Sequence, residues 1–378
     1  MDTLLKTQQG HFTLNRHPTH QSDQLRAWDA ADEYILNYLT DSLTFDKKSR
    51  ILLINDSFGA LTVALSLFKP VLISDSYVAQ QATLANLKTN KLDPQQTQLL
   101  NSLEAPEGTF DLVVIKTPKT LALLEDQLIR LQPHITDSTK IIVAGMSKYM
   151  PTSVWQLLGR LIGPTTTLLA KKKAKLIITT PDPKRTIPNN PYPIYYRLEN
   201  SDYQICNHAN VFSQDSLDIG TRFLLENLPQ LNHAKEIIDL GCGNGIVGLM
   251  LANKHPKAIL HFIDESYMAV ASAKQTYMLA FPDSTNAIFS VDDVLSGFAT
   301  ASIDLIVCNP PFHQQNSIND QTAKRMFQQS QKVLRNGGEL WIIGNRHLNY
   351  HQSLNSIFGN AKICASNAKF VIIKAKKA

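Results

Sequence analysis

Cysteine is scarce and scattered in this chain. Cys206, Cys242, Cys308 and Cys364 are the four in 378 residues, and no two form a C-x-x-C pair. That spacing argues against a zinc site and a disulfide framework, so reduced, buried thiols and no metal are expected. Long apolar runs are also missing. No stretch approaches the ~20 residues that cross a bilayer, and MDTLLKTQQGHF lacks the apolar core of a secretory signal. A cytoplasmic protein, monomeric and without a membrane partner, is expected. Charge is sparse too, at 18% of residues and +5 net, against 43% hydrophobic residues. This excludes a disordered chain, and the length allows two ordinary globular domains.

The small net charge is unevenly placed. Residues 151–200 hold eight Lys/Arg and two acidic residues, a local +6, so the remainder sums to −1. The block includes Lys171, Lys172, Lys173, Lys175, Lys184 and Arg185. Such a block can neutralise phosphates, although a bare run also suits a solvated face.

The stretch IDLIVCNPPF, residues 303–312, organises the chain. It reads as an apolar strand stopped by Asn309-Pro310-Pro311-Phe312, because proline cannot donate to a sheet ladder. An amide and an aromatic ring are left at the C-terminal edge, where open α/β sheets bind ligands. The Asn309 side-chain oxygen and the Pro310 carbonyl can accept N–H bonds from an exocyclic amine. They would hold the nitrogen, help localise its lone pair and offset developing positive charge. Phe312 can stack on a base drawn out of its helix. Alone, the motif also suits a plain strand-ending turn.

Strands alternate with helices along the chain, which predicts a parallel sheet covered by helices. In the first half, a helical run over Leu25–Leu39 precedes strands at Ile51–Ile54, Val71–Ser74, Phe110–Ile115, Ile141–Ala144 and Leu176–Thr179. Residues 181–193 carry five prolines and read as a linker or domain edge. The order then returns. A helix over Leu217–Leu228 precedes strands at Glu236–Leu240, Ile259–Ile263, Ala287–Val291, Ile303–Cys308 and Glu339–Ile343, and the chain closes with Ala368–Ile373. Gly59 matches Gly245, Asp75 matches Asp264, Asp111 to Val114 match Asp304 to Val307, and Ala174-Lys175 match Ala368-Lys369. Duplication followed by divergence is the economical reading. Two domains, 1–185 and 186–378, are expected. The first has Asn55-Asp56-Ser57-Phe58-Gly59 where the second has a glycine loop, and Lys116-Thr117-Pro118-Lys119 where the second has the tetrad. The first therefore kept the fold and lost the site, and its lysines would hold RNA.

The second copy carries the cofactor signals. Asp239-Leu240-Gly241-Cys242-Gly243-Asn244-Gly245 follows a strand and opens a helix. Asp264 ends the next strand, 23 residues after Gly241, near the roughly 20-residue spacing of an acid that meets ribose hydroxyls. Asp293 follows the third strand and could accept from an adenine amine, with Asp292 its rival. The loop is not a complete dinucleotide fingerprint, and Asp239 would put negative charge near the ligand. That suits a cationic sulfonium and amine better than a diphosphate. Together with the tetrad these features point to an S-adenosylmethionine-dependent amino methyltransferase on a Rossmann-like class I fold.

At this point a family resemblance enters. Residues 55–61 (NDSFGAL), 116–125 (KTPKTLALLE), 207–213 (NHANVFS), 264–266 (DES), 309–315 (NPPFHQQ) and 345–348 (NRHL) resemble ribosomal RNA guanine-N2 methyltransferases with two tandem methyltransferase-like domains, the first degenerate. The first-domain motifs are similar to the large-subunit branch rather than the small-subunit one. The resemblance implies methyl transfer to N2 of a guanine in 23S RNA, at position 1835. An adenine contact through Asp292-Asp293 departs from an expected amide-bearing pair. Transfer needs no strong base, so His313 reads as a surface or RNA contact rather than a catalyst. Arg346 and His347 end the strand beside the tetrad and could touch phosphate. The tetrad chemistry also suits a 16S guanine-N2 enzyme, an adenine-N6 enzyme or a protein glutamine-N5 enzyme. A non-catalytic RNA-binding assembly factor is the rival from another class, and the intact glycines argue against it.

Overall fold

Short apolar runs without polar alternation, such as those at 51–54 and 303–308, must be covered on both faces. The computed structural model shows that arrangement twice. It describes residues 2–18, 25–43, 46–211, 216–311 and 317–378, the side chains of 317–320 excepted. The chain divides into two compact units, Met1–Tyr192 and Pro193–Ala378. The division falls after 192 rather than 185 because the proline-rich segment packs on the first unit. There the Asn190 amide donates to Asp126 at 2.6 Å and the Tyr192 hydroxyl to Glu125 at 3.2 Å.

The first unit holds a seven-stranded sheet in the order Gln98–Asn101, Val71–Ser74, Ile51–Ile54, Leu112–Lys116, Lys140–Met146, Ala174–Thr179, Thr165–Thr167. The second holds Ala287–Val291, Ile259–Asp264, Glu236–Leu240, Ile303–Cys308, Leu334–Asn345, Phe370–Lys376, Lys362–Ser366 in the same arrangement. In each, the sixth strand of the row runs antiparallel to both neighbours. The expected parallel sheet is thus corrected to a mixed one. The last two strands form a hairpin, and a tight hairpin can only pair antiparallel.

Alternate residues of each central strand feed opposite cores. Ile51 and Leu53 pack with Leu36, Leu39 and Leu61, while Leu52 and Ile54 pack with Leu124, Leu128 and Leu158. In the second unit Ile237 and Leu305 pack with Leu224 and Tyr277, and Ile238 and Ile306 with Phe327 and Leu354. Each unit is therefore a Rossmann-like three-layer α/β fold. The first helix is Ala30–Ser42, not Leu25–Leu39. Asp29 accepts from the amides of Ala31 and Asp32, and Asp32 accepts from the Asp29 amide, so the helix starts at that capping box. Hairpins at 4–13 and 194–207 and the edge strand Gln98–Asn101 had no periodic signal in the sequence.

Strand registers align the two units residue by residue. Ile54 neighbours Ile115, and Leu240 neighbours Cys308, so Lys116 stands at the station of Asn309 and Asp111 at that of Asp304. Ile54 also neighbours Ile73, and Leu240 neighbours Ile263, so Ser74 rather than Asp75 stands at the station of Asp264. Val143 pairs with Ile177 and Ile342 with Ile373, so Ala174-Lys175 align with Phe370-Val371, not Ala368-Lys369. Among the described residues, no helix is long and apolar enough to cross a membrane and no His/Cys/Asp/Glu group could hold a metal.

Candidate active site

Open sheets bind ligands beyond the strand ends where the strand order reverses. In the second unit those strands are Glu236–Leu240 and Ile303–Cys308, adjacent and parallel. Leu240 leads into the glycine loop and Cys308 into Asn309, so the two motifs share one crevice.

Gly241, Gly243 and Gly245 all have left-handed backbones, with φ of 73°, 52° and 79°. They serve different ends. A Cβ on Gly245 would lie 2.7 Å from the Ala273 backbone, so that glycine lets the Ile246–Lys254 and Tyr267–Ala280 helices pack. A Cβ on Gly243 would meet nothing within 4 Å, and one on Gly241 only Met326 at 3.5 Å and the Asn309 carbonyl at 3.9 Å. These two form an open cradle for a ligand. Asp264 borders it: one carboxylate oxygen accepts from the Gly243 amide and the other from the Ser266 amide, both at 3.0 Å.

Three loop residues turn inward. Asp239 is buried and accepts from the Gly248 amide at 2.7 Å. Burial pushes its carboxyl up to about 8, with the Gly248 bond opposing and Asp264 adding to the rise. Burial thus opposes the negative charge expected beside the ligand, and Asp239 fixes the helix start through the Gly248 amide. Burial also pushes the Cys242 thiol well above the ordinary range, and Asp264 and Asp239 push the same way. Cys242 is a small core side chain in this loop. The Asn244 amide donates to Asn207 at 3.0 Å, inside the protein.

Beyond the third strand, Asp292 turns back on its own loop, accepting from the amides of Asp293 and Gly297 and from Ser296. Asp293 instead pairs with Arg325 at 2.6 Å. Asp293 is therefore the more available of the two, although a guanidinium shares it.

Asn309 carries the least explained atom of the site. Its Nδ2 donates to the Thr221 hydroxyl at 3.1 Å, while its Oδ1 is buried with no hydrogen-bond partner among the described residues. A buried orphan acceptor costs roughly 1–3 kcal/mol, and a ligand N–H would satisfy it. Pro310 is buried and Pro311 exposed. Phe312 and His313 lie outside the described residues. Arg346 follows the neighbouring strand at the same sheet edge, exposed, with its guanidinium on the Asn367 carbonyl at 3.3 Å. Thr221 was not foreseen, since nothing in sequence ties residue 221 to 309. Its signal was Asp218-x-x-Thr221, a helix cap just ahead of the first strand.

The same edge of the first unit is closed. Asn55 keeps the left-handed backbone of Gly241, at φ 66°, but its amide donates to the Lys116 carbonyl and exchanges hydrogen bonds with Gln127. The Lys116 ammonium donates to Asp29 at 2.8 Å and to Asp32 at 2.6 Å. Burial opposes the Lys116 charge, but Asp32 and Asp29 outweigh it and raise its pKa. Burial pushes Asp32 up to about 6 despite that cation. The basic residues Lys171, Lys172 and Lys173 are exposed on the tip between Thr165–Thr167 and Ala174–Thr179. Lys171 lies over the Tyr34 ring, Lys175 over the Trp155 ring, and Lys172 pairs with Glu33 at 2.8 Å.

A mixed seven-stranded sheet of this order, with an open glycine cradle and a strand-end amide at its switch point, is the construction of the Rossmann-like methyltransferases. S-adenosylmethionine is the cofactor of that class and of this chain, and the open cradle and Asp264 fit it. Family models agree: one described as the RLMG N-terminal domain matches residues 2–183, and one described as the methyltransferase small domain matches residues 202–374. Relatives named ribosomal RNA large subunit methyltransferase G are 46% identical in Streptomyces avermitilis and 47% identical in Aeromonas salmonicida, each alignment covering 100% of both chains. The chain belongs to the ribosomal RNA large subunit methyltransferase G family. In fold it is similar to the T. thermophilus 16S rRNA N2 G1207 methyltransferase RsmC, solved with AdoMet and guanosine. The TM-score there is 0.76 at 20% identity, covering 100% of this chain and 98% of that one.

Proposed function

We propose that this chain methylates the exocyclic N2 of a guanine in 23S ribosomal RNA, by resemblance the one at position 1835. The observation that carries the reading is the buried, unpartnered Oδ1 of Asn309 beside the open cradle. An aryl amine is a poor nucleophile because its lone pair is delocalised. An acceptor on one of its N–H bonds orients the nitrogen and offsets the positive charge that develops there. The Pro310 carbonyl is the second acceptor, and Phe312 the ring on which the base stacks. When bound, S-adenosylmethionine supplies an electrophilic methyl group. As the new N–C bond forms and the S–C bond breaks, N2 becomes cationic and loses a proton to solvent, so no side-chain base is required.

For the cofactor, Gly241 and Gly243 give backbone approach, Asp264 takes ribose hydroxyls, and Asp293 takes the adenine amine. Asp239, Cys242, Asn244 and Gly245 frame the loop. The relatives' shared name supports large-subunit RNA as substrate. Lys171, Lys172, Lys173 and Lys175 in the first unit, and Arg346 in the second, are read as phosphate contacts. The enzyme then works on RNA in the cytoplasm, as a monomer.

The test is transfer of radiolabelled methyl to protein-free large- and small-subunit RNA, followed by nucleoside analysis. Label in N2-methylguanosine from the large-subunit RNA alone is expected. Label in small-subunit RNA would keep the chemistry and change the substrate. Label in neither would overturn naked ribosomal RNA as the substrate.

A further inference from the structure

The geometry points to Thr221, backed by Asp218, as the residue that sets which way the Asn309 amide faces. The inference rests on the methyltransferase reading above and adds a positioning residue to it. An asparagine side chain has an acceptor end and a donor end of nearly equal size. The target amine needs the acceptor, so the reverse orientation would present Nδ2 to a group that cannot accept from it. Something must break that symmetry.

The break comes from the helix Ile219–Glu226, whose N-cap is Asp218. One Asp218 oxygen, Oδ2, accepts from the Thr221 amide at 3.0 Å and lies 3.4 Å from the Thr221 hydroxyl. A carboxylate only accepts, so the hydroxyl hydrogen turns toward it. The lone pair left on Thr221 Oγ1 faces Asn309 and can receive only an N–H. Asn309 therefore gives Nδ2 to Thr221 at 3.1 Å, and Oδ1 is left buried, unpartnered and available to the base. Thr221 is itself buried, so water does not compete freely for the hydroxyl.

The first unit supports this coupling independently. Asp29 caps the matching helix as Asp218 does, and Asp32 stands three residues on, as Thr221 does. Where the strand end became Lys116, that third residue is an acid, and the two join directly at 2.6 Å. The helix start and the strand end meet in both units, and each pair is chemically matched.

The test compares Thr221→Val, which keeps the shape and removes the hydroxyl, with Thr221→Ser, which keeps the hydroxyl. Turnover on the RNA that wild type labels, and S-adenosylmethionine affinity by calorimetry, are read for both. Thr221→Val should lose roughly 10- to 100-fold in kcat, the scale of a misplaced reacting group, with cofactor affinity unchanged, and Thr221→Ser should restore turnover. Near wild-type kcat in Thr221→Val would overturn the inference while leaving the methyltransferase reading intact. Absence of transfer by wild type would instead remove the reading itself, and the inference with it. Should Thr221→Val lose cofactor binding, Thr221→Ala and Thr221→Cys are read by the same split. A parallel fall of kcat and cofactor affinity in every hydroxyl-less variant would make Thr221 a structural cap and overturn the positioning role.

Discussion

Asn309 and Lys116 occupy one station in two copies of a single sheet, and the chemistry around them has opposite aims. In the second unit a neutral amide is held at one end and left unsatisfied at the other. In the first, the side chain is an ammonium fully engaged by Asp29 and Asp32. The loops differ in the same way. Gly241 leaves space for a ligand, while Asn55 keeps the left-handed turn and fills the space by bonding Gln127. Even the carboxylate that starts the next helix has moved. Asp239, on the strand, holds the Gly248 amide, whereas Asp56, in the loop, holds the amide of the aligned Thr62. The fold tolerates these exchanges because each preserves a bonded helix start and a filled sheet edge. An active site is the place where that satisfaction is withheld.

The largest effects should come from the shared station itself. Asn309→Ala should lower kcat by roughly 10²–10³-fold, the scale of removing one preorganised group, with cofactor affinity and thermal stability nearly unchanged. Lys116→Ala should do the reverse. It leaves the buried Asp32 and the half-exposed Asp29 without their cation and should destabilise the first unit by about 3–5 kcal/mol, chiefly through Asp32, seen as a lower denaturant midpoint, without changing cofactor affinity. Equal stability losses in the two variants would break the comparison.

This division of labour was partly legible in sequence. The runs Ile51–Ile54, Val71–Ser74, Glu236–Leu240 and Ile303–Cys308 form the elements their apolar pattern predicts. Gly59 and Gly245 match because both let a helix approach, a requirement written in one residue. Asp75 was set against Asp264 one position off, because matching acids by type ignores register, and register is fixed by sheet pairing. The reversal of the sixth strand was invisible, since an apolar run does not encode its direction. Thr221 was invisible as a site residue because its partner is 88 positions away. Asp239 was legible as an acid but not as a buried one.

The glycines sharpen the comparison at a smaller scale. Gly59→Ala and Gly245→Ala should each cost about 1–3 kcal/mol of stability, the overpacking range, because the added Cβ would lie 2.8 Å from the Thr83 backbone or 2.7 Å from that of Ala273. Gly243→Ala has free space and only its positive φ to strain. Its main loss should be cofactor affinity, measured by calorimetry, with stability reduced by no more than about 1 kcal/mol. A Gly243→Ala protein that binds S-adenosylmethionine normally would show that the cradle is not used.

The two moved carboxylates differ in how well they are satisfied. Asp239 accepts one backbone bond, while Asp56 accepts from both the amide and the hydroxyl of Thr62 at 2.8 Å. Burial raises both, and raises Asp239 to about 8. An unfolded aspartate titrates near 3.9. Between these values the native state keeps a proton that the unfolded state has released, so stability falls as pH rises toward 8 and levels off above it. Asp239→Asn keeps an acceptor for Gly248 and has no proton to lose. Relative to wild type it should gain at least about 1 kcal/mol between pH 5 and pH 9 in denaturant titrations, and Asp56→Asn should gain less. A flat difference for Asp239→Asn would mean that the carboxyl is ionised in the native state.

The smallest effects belong to the two hairpin tips at the sheet edges. In the first unit the tip between Thr167 and Ala174 spans six residues and carries Lys171, Lys172 and Lys173; in the second, the tip between Ser366 and Phe370 spans three and carries Lys369. The longer tip is the one proposed to grip RNA, and its cations are not equivalent. Lys172 is already neutralised by Glu33, Lys171 is steadied over Tyr34, and Lys173 has no ion-pair partner among the described residues. Phosphate contact releases counterions in proportion to the charge that reaches the backbone. Lys173→Ala should therefore weaken RNA binding by about 1 kcal/mol and lower the salt slope by close to one. Lys171→Ala should follow, and Lys172→Ala should change least, because Lys172 is held on Glu33, which it shares with Arg26, and is the least free to reach a phosphate. Binding titrations at two salt concentrations would rank the three. Unchanged affinity and salt slope in a triple Lys171/Lys172/Lys173→Glu variant would remove the first unit from RNA binding altogether.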